Sequence, residues 1–312
     1  MSNQTRKLFI WPVLALSVVI NIYFIINNNR DRPIENEMAK YDEFPFLSKR
    51  IFAQNQNDIL INFIPLRHEL RKYVENAKNQ LGVYFEYLPS GTSIGVNDNM
   101  EVRLASLIKI PIVMAIYKQI ESGNISKDTM LTISESSINK EFGDLWKKGV
   151  GYKITVEDAI NLSLIKSDNT AARVLVSALP DGAIDNVFDS LDIPKDKNQN
   201  LPIISPKNYS SILRSLYLSS YLTKDHSNEI LEILSKTNFT DRLAAGVPAN
   251  TKISHKIGVY DTDNIFSDCG IIYPKGRPYL VCVMVKADES TAIQQIELIS
   301  KMIYGYVIAV NN

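Results

Sequence analysis

The sequence predicts an α/β fold of the α+β kind: a five-stranded antiparallel sheet flanked by helices, plus an all-α lobe. Three observations predict it. Strand-like runs fall into two groups, a pair between residues 82 and 96 and a trio between 252 and 286. Between the groups, from Ser106 to Lys236, apolar residues recur mainly at helical spacing. The chain has 312 residues of which 45% are hydrophobic, enough for a full core.

The elements follow in order. Arg6-Lys7 precedes an uncharged run from Leu8 to Asn27. At about 1.5 Å per residue this run spans about 30 Å, the depth of a bilayer core. A cleaved signal peptide is the competing reading. The length of the run and the lack of a small-residue cleavage site at Asn27-Asn28-Asn29-Arg30 favour an uncleaved anchor. The expected organisation is a cytoplasmic tail over 1–7, a transmembrane anchor over 8–27, a polar tether over 28–57 and one domain over 58–312. Arg6 and Lys7 face Arg30 and Arg32 across the span, so charge alone leaves the orientation open.

From Asp58 to Gln80, Ile61, Ile64, Leu66, Leu70, Val74 and Ala77 mark a helix. Gly82–Tyr87 and Thr92–Val96 read as strands around the turn Pro89-Ser90-Gly91. A helix runs from Ser106 to about Glu121 and stops at Ser122-Gly123. Thr155 with Asp158 makes an N-cap for a helix reaching Lys166. Ser167-Asp168-Asn169 breaks the pattern before another helix, 170–179. Further helices are expected over 207–222, 227–236 and 291–307, and strands over 252–258, 265–273 and 279–286. Cys269 and Cys282 lie on the last two strands, on either side of Pro274-Lys275-Gly276-Arg277-Pro278. A hairpin there would bring them nearly opposite, as a disulfide or as two buried thiols. Free thiols are the expectation, because cross-strand geometry often does not suit the bond.

Lys and Arg total 34, as do Asp and Glu, so net charge gives no reason to expect a nucleic-acid partner. His68, His226 and His255 are scattered, and no Cys/His cluster has metal-ligand spacing. Neither metal nor cofactor is expected.

The chemistry centres on Ser106-Leu107-Ile108-Lys109. A serine and a lysine three apart on a helix share a face. A serine hydroxyl needs a base beside it to act as a nucleophile. Lysine becomes that base when burial disfavours its charge. Leu107, Ile108, Ile110, Ile112, Val113, Met114 and Ile116 make this segment apolar nearly all round, as in a core helix. Pro111 fits near a helix start, so Ser106 is expected at the N-terminus, where backbone amides favour developing negative charge. The bland alternatives are an N-cap for Ser106 and a surface charge for Lys109. The same spacing recurs at Ser137/Lys140 and Ser163/Lys166. Asp168 alone would read as a helix cap, and Lys256 alone as an edge-strand lysine.

Taken together, Ser106-x-x-Lys109, Ser167-Asp168-Asn169 and Lys256-Ile257-Gly258 resemble the signature of penicillin-recognising serine enzymes. From Gly82 to near the C-terminus the chain is similar to class A β-lactamases and related penicillin-binding serine hydrolases. The resemblance implies a β-lactamase/transpeptidase-like fold and an extracytoplasmic domain. It implies that Ser106 is acylated, that Lys109 takes or orients the proton, and that Ser167 passes a proton to the leaving nitrogen. Asn169 would bind the substrate's amide side chain. Lys256 would hold Ser167 and attract a substrate carboxylate. The amides of Ser106 and Val259, next to Gly258, would form an oxyanion hole. The implied substrates are β-lactams or peptidoglycan-type peptides ending in D-alanyl-D-alanine.

Two departures stand out. Class A enzymes use a glutamate after the Ser-Asp-Asn element to activate the deacylating water, and no glutamate lies between Glu157 and Glu229. The segment 192–205 holds only Asp192 and Asp196 as acids, and Asp196 sits in a polar run where its pKa would stay near ~3.9. Ile257 replaces a hydroxyl residue. The expected function is a membrane-anchored serine hydrolase of class A β-lactamase type, with slow deacylation. The alternatives are a D-alanyl-D-alanine carboxypeptidase or transpeptidase and a non-catalytic wall-binding module. A His255-centred hydrolase is a further one.

Overall fold

A computed structural model describes residues 62–194 and 203–309. Helix α1 (Ile64–Asn76) leads into β1 (Gln80–Tyr87), β2 (Thr92–Val96) and the short β3 (Val102–Arg103). A 3-10 turn, Ala105–Ile108, runs directly into α2 (Lys109–Glu121). Strands β4 (Met130–Thr132) and β5 (Lys153–Thr155) precede α3 (Val156–Ile165), α4 (Asn169–Val176) and α5 (Ala183–Ser190). Then come β6 (Ile203–Ile204), α6 (Pro206–Leu218), α7 (Lys224–Leu234), β7 (Lys252–Tyr260), β8 (Ile265–Tyr273), β9 (Tyr279–Lys286) and α8 (Glu289–Ala309).

The expected five strands form one antiparallel sheet in the order β2-β1-β9-β8-β7. Seven of the eight residues of β9 are buried, as are all but Gln80 in β1, so both faces need cover. On one face Leu66 and Leu70 of α1 and Ile296, Ile299 and Ile303 of α8 pack on Val83, Phe85, Val281 and Val283. On the other face α6 lies against β1, β8 and β9. Helix α2 buries every residue from Lys109 to Tyr117, as its all-round apolar sequence predicts.

Several expectations change. The first helix starts at Ile64 rather than Asp58, and residues 58–61 lie outside the described residues, as do the tail, anchor and tether over 1–57. Ser106 sits in the 3-10 turn, one turn before the α-helix proper. Helix α5 and the small sheets β3-β6 and β4-β5 are additional to the expected elements. Cys269 and Cys282 form a disulfide, not free thiols. The β8-β9 register sets them directly opposite each other, which the turn sequence alone does not specify. Among the described residues no helix is long and apolar enough to cross a membrane.

Candidate active site

Each functional side chain is placed by a local feature of its own segment. The 3-10 turn carrying Ser106 opens on Ala105, whose φ is +46°. Ser167 has φ +56° and ends the link between α3 and α4. Both are non-glycine residues in the left-handed region, a conformation the surrounding structure must hold in place. Asp168 does the holding at the second. Its carboxylate accepts from Ala171 N (2.8 Å), Asp144 N (2.7 Å) and Leu145 N (2.8 Å). The plain reading of Asp168 as a cap is therefore correct, and the cap also fixes the loop 139–145 against α4. Gly143 is needed there, since a Cβ would fall 2.1 Å from the Asp168 carboxylate.

Lys109 Nζ lies at the centre of the cluster. It is 2.9 Å from Ser106 Oγ, 3.0 Å from Ser167 Oγ, 2.5 Å from Ser167 O and 2.6 Å from Asn169 Oδ1. The residue is 3% exposed. Burial brings its pKa down from 10.5 to about 7, against an opposing pull from Asp168. Lys256 Nζ reaches the same Ser167 Oγ at 2.8 Å from β7. It is 1% exposed, and burial followed by repulsion from Lys109 pushes its pKa well down. Gly258 lets β7 approach the serine turn, because a Cβ there would stand 3.0 Å from Leu107 Cγ and 3.3 Å from Leu104 O. Val259 follows on the same strand.

The structure thus brings Ser106, Lys109, Ser167, Asn169 and Lys256 into one network, with Gly258 packed against its turn. The other Ser-x-x-Lys pairs stay apart from it. Ser137 Oγ bonds Ser134 Oγ at 2.7 Å, and Lys140 is exposed beside the Trp146 ring. Ser163 is fully buried without a partner, and Lys166 is exposed. His255, next to Lys256 on a strand, faces the other side of the sheet and bonds the Asp268 carboxylate at 2.8 Å. Ile257 is buried at 3% exposure and offers no hydroxyl. Asp196 lies outside the described residues.

Sequence reasoning missed three contributors. Asn139 Oδ1 accepts from Asn169 Nδ2 at 3.0 Å, and Phe142 O accepts from Asn169 N at 3.0 Å. The Phe239 ring lies 5.6 Å from Lys256 Nζ. Nothing local in the sequence marks these residues, since each acts through a distant segment. Among the described residues no group of three or more His, Cys, Asp and Glu is gathered as a metal site would need.

A family model described as "Beta-lactamase enzyme family" matches residues 65–307. Beta-lactamase VEB-1 of Pseudomonas aeruginosa is 25% identical over 252 residues, covering 70% of this chain and 82% of its own. A β-lactamase of Mycobacterium tuberculosis is 25% identical, covering 66% and 72%. Among solved structures, PBP-A superposes with a TM-score of 0.72 at 23% identity, over 78% of this chain and 95% of its own. A point mutant of PBP-A, an acyl-enzyme complex with penicillin G, gives the same TM-score at the same identity, over 77% and 95%.

Proposed function

The chain belongs to the Beta-lactamase enzyme family, and from that premise we propose that it is a membrane-anchored serine hydrolase that opens β-lactams through an acyl-enzyme at Ser106. The observation that carries this reading is the Lys109 amine, 3% exposed and 2.9 Å from Ser106 Oγ. Four oxygens surround that nitrogen, and an ammonium has only three hydrogens and no lone pair. A neutral amine offers them two hydrogens and one lone pair. Its two N–H groups serve the carbonyl oxygens of Ser167 and Asn169, which lie closest. Its lone pair then faces a serine hydroxyl. With a pKa of about 7, a large share of Lys109 is in that form at neutral pH.

The proposed steps are these. Ser106 gives its proton to Lys109 as Oγ bonds the lactam carbonyl carbon. The amides of Ser106 and Val259 receive the developing oxyanion. Ser167, held by Lys256, then donates a proton to the departing nitrogen as the C–N bond breaks, and Lys109 restores it. Asn169 is the candidate contact for the substrate's amide.

A D-alanyl-D-alanine peptidase is the second reading, favoured by the absence of any glutamate between Glu157 and Glu229. Either way, water is poorly activated against the acyl-enzyme. A pure wall-binding module has no use for a lysine of lowered pKa beside a serine. The anchor over 8–27 rests on its apolar length, and the extracytoplasmic placement rests on where such substrates are found.

Intact-mass measurement of the full chain with benzylpenicillin tests the reading. A covalent adduct is expected, with a burst of opened product followed by slow turnover. No adduct would end the proposal. Turnover without a burst, lost in Asp196→Ala, would give Asp196 the role of deacylation base. Recovery of the native protein cut near residue 27 would replace the anchor with a signal peptide.

A further inference from the structure

Around this network the cationic groups are mostly paired, and aromatic rings stand beside them. Lys256 is 1% exposed and already donates to Ser167 Oγ at 2.8 Å and to Ile257 O at 3.3 Å. The Phe239 ring lies over the same nitrogen, 5.6 Å from ring centre to Nζ. Protonated or neutral, this amine has at most three N–H groups, so little of it is left for a ligand anion. Two further cations near this strand are held in ion pairs. Arg103 is paired with Asp263 at 3.3 Å and lies over the Tyr260 ring. Arg242 is 3% exposed and pairs through Nη1 with Asp241 at 2.7 Å, although its buried Nε has no hydrogen-bond partner. Asn169 is also engaged: Oδ1 accepts from Lys109 and Nδ2 donates to Asn139.

Two rings from different segments meet above this network. Phe142, 41% exposed, stands 6.0 Å from Phe239 at an interplanar angle of 37°. Asn169 N holds the backbone of the first at Phe142 O, and Thr237 Oγ1 ties the segment of the second to Ile165 O at 3.3 Å. Partly exposed rings beside such a network offer apolar contact to a ligand.

We propose that Phe239 is a specificity-determining residue: by covering Lys256 and meeting Phe142, it shifts substrate selection from the acyl donor's carboxylate to its apolar side chain. The inference rests on the acyl-serine reading above. The preferred donors are those with an aromatic or bulky apolar group on the acyl side, and a free carboxylate adds little.

The test measures acylation rates of the full chain by three probes: benzylpenicillin, its methyl ester and 6-aminopenicillanic acid. The wild type is expected to acylate with acid and ester within about threefold of each other, and to favour the benzyl side chain by about tenfold. Phe239→Ala uncovers Lys256. It should raise the acid-over-ester ratio by about tenfold, the scale of one charge-assisted hydrogen bond, and shrink the benzyl preference. Phe239→Leu, which keeps volume but loses the ring, should move both ratios the same way by less, and it decides the matter if the alanine variant fails to fold. A wild type that already favours the acid by about tenfold or more overturns the inference, as do ratios that neither variant moves. Adducts with unmoved ratios sink this inference alone. No adduct with any probe sinks the acyl-serine reading and this inference with it.

Discussion

The tetrapeptide Ser-Leu-Ile-Lys occurs twice, at 106–109 and at 163–166, with opposite burial. At the first, the lysine is 3% exposed and the serine half-buried. At the second, the serine is 0% exposed and the lysine lies in solvent at the C-cap of α3. Spacing is the same in both, so spacing does not make the chemistry. The first copy starts a helix that is apolar on every side and ends in a cluster of oxygens. The second ends a helix whose core-facing positions are Val156, Ala159, Ile160, Ser163 and Leu164, which turns Lys166 outward. Burial is what brings the Lys109 pKa to about 7 and lets its amine accept a proton from a serine.

The largest effect separates the two serines. Ser106→Ala should abolish the benzylpenicillin adduct, and Ser163→Ala should leave it intact. Peptide mapping of the wild-type adduct is the check, and a label on Ser163 or Ser137 would break the comparison. The lysines come next. Lys109→Ala should slow acylation by ~10²-fold or more, the scale of a lost general base, while Lys166→Ala should leave the rate unchanged. The pH profile sharpens this. Neutral Lys109 is the active form, so the acylation rate should rise with pH to a plateau, with its midpoint near the pKa of about 7. That limb should disappear in the Lys109 variant. Equal losses at both lysines would mean that burial is not the deciding quantity.

What could be read from the sequence divides along the same line. Ser106, Lys109, Ser167 and Lys256 were legible because each belongs to a short motif on a local element. Likewise the cap at Thr155, whose Oγ1 accepts from Asp158 N at 3.1 Å, needs only its own turn. The strands over 265–273 and 279–286 were bounded correctly by the polar residues between them. Helix α5 escaped because it is short and opens on Gly182 at φ +76° with no side-chain cap. Strands β3 and β6 are two residues each and pair across most of the α lobe, so neither shows a period. The Phe142–Phe239 contact and the Asn139–Asn169 bond join segments with no common pattern. The disulfide depended on register, which a five-residue turn does not fix.

The smallest effect concerns stability at the silent copy. Ser163 Oγ is buried and has no hydrogen-bond partner, so folding removes that hydroxyl from water without compensation. Alanine at this position removes the uncompensated oxygen and leaves a space close to one atom in size. Alanine is also the better helix former in α3. The two gains oppose a small loss of packing. Ser163→Ala should therefore be neutral or stabilising, by up to about 1 kcal/mol, seen as an unchanged or raised denaturant midpoint with unchanged slope. The same substitution at Ser106 removes a hydroxyl that is bonded to Lys109 and only partly buried, so no such gain is expected there. A Ser163→Ala variant destabilised by about 2 kcal/mol would show that the hydroxyl has a partner in solution, such as a buried water, and that the second copy is less idle than its contacts indicate.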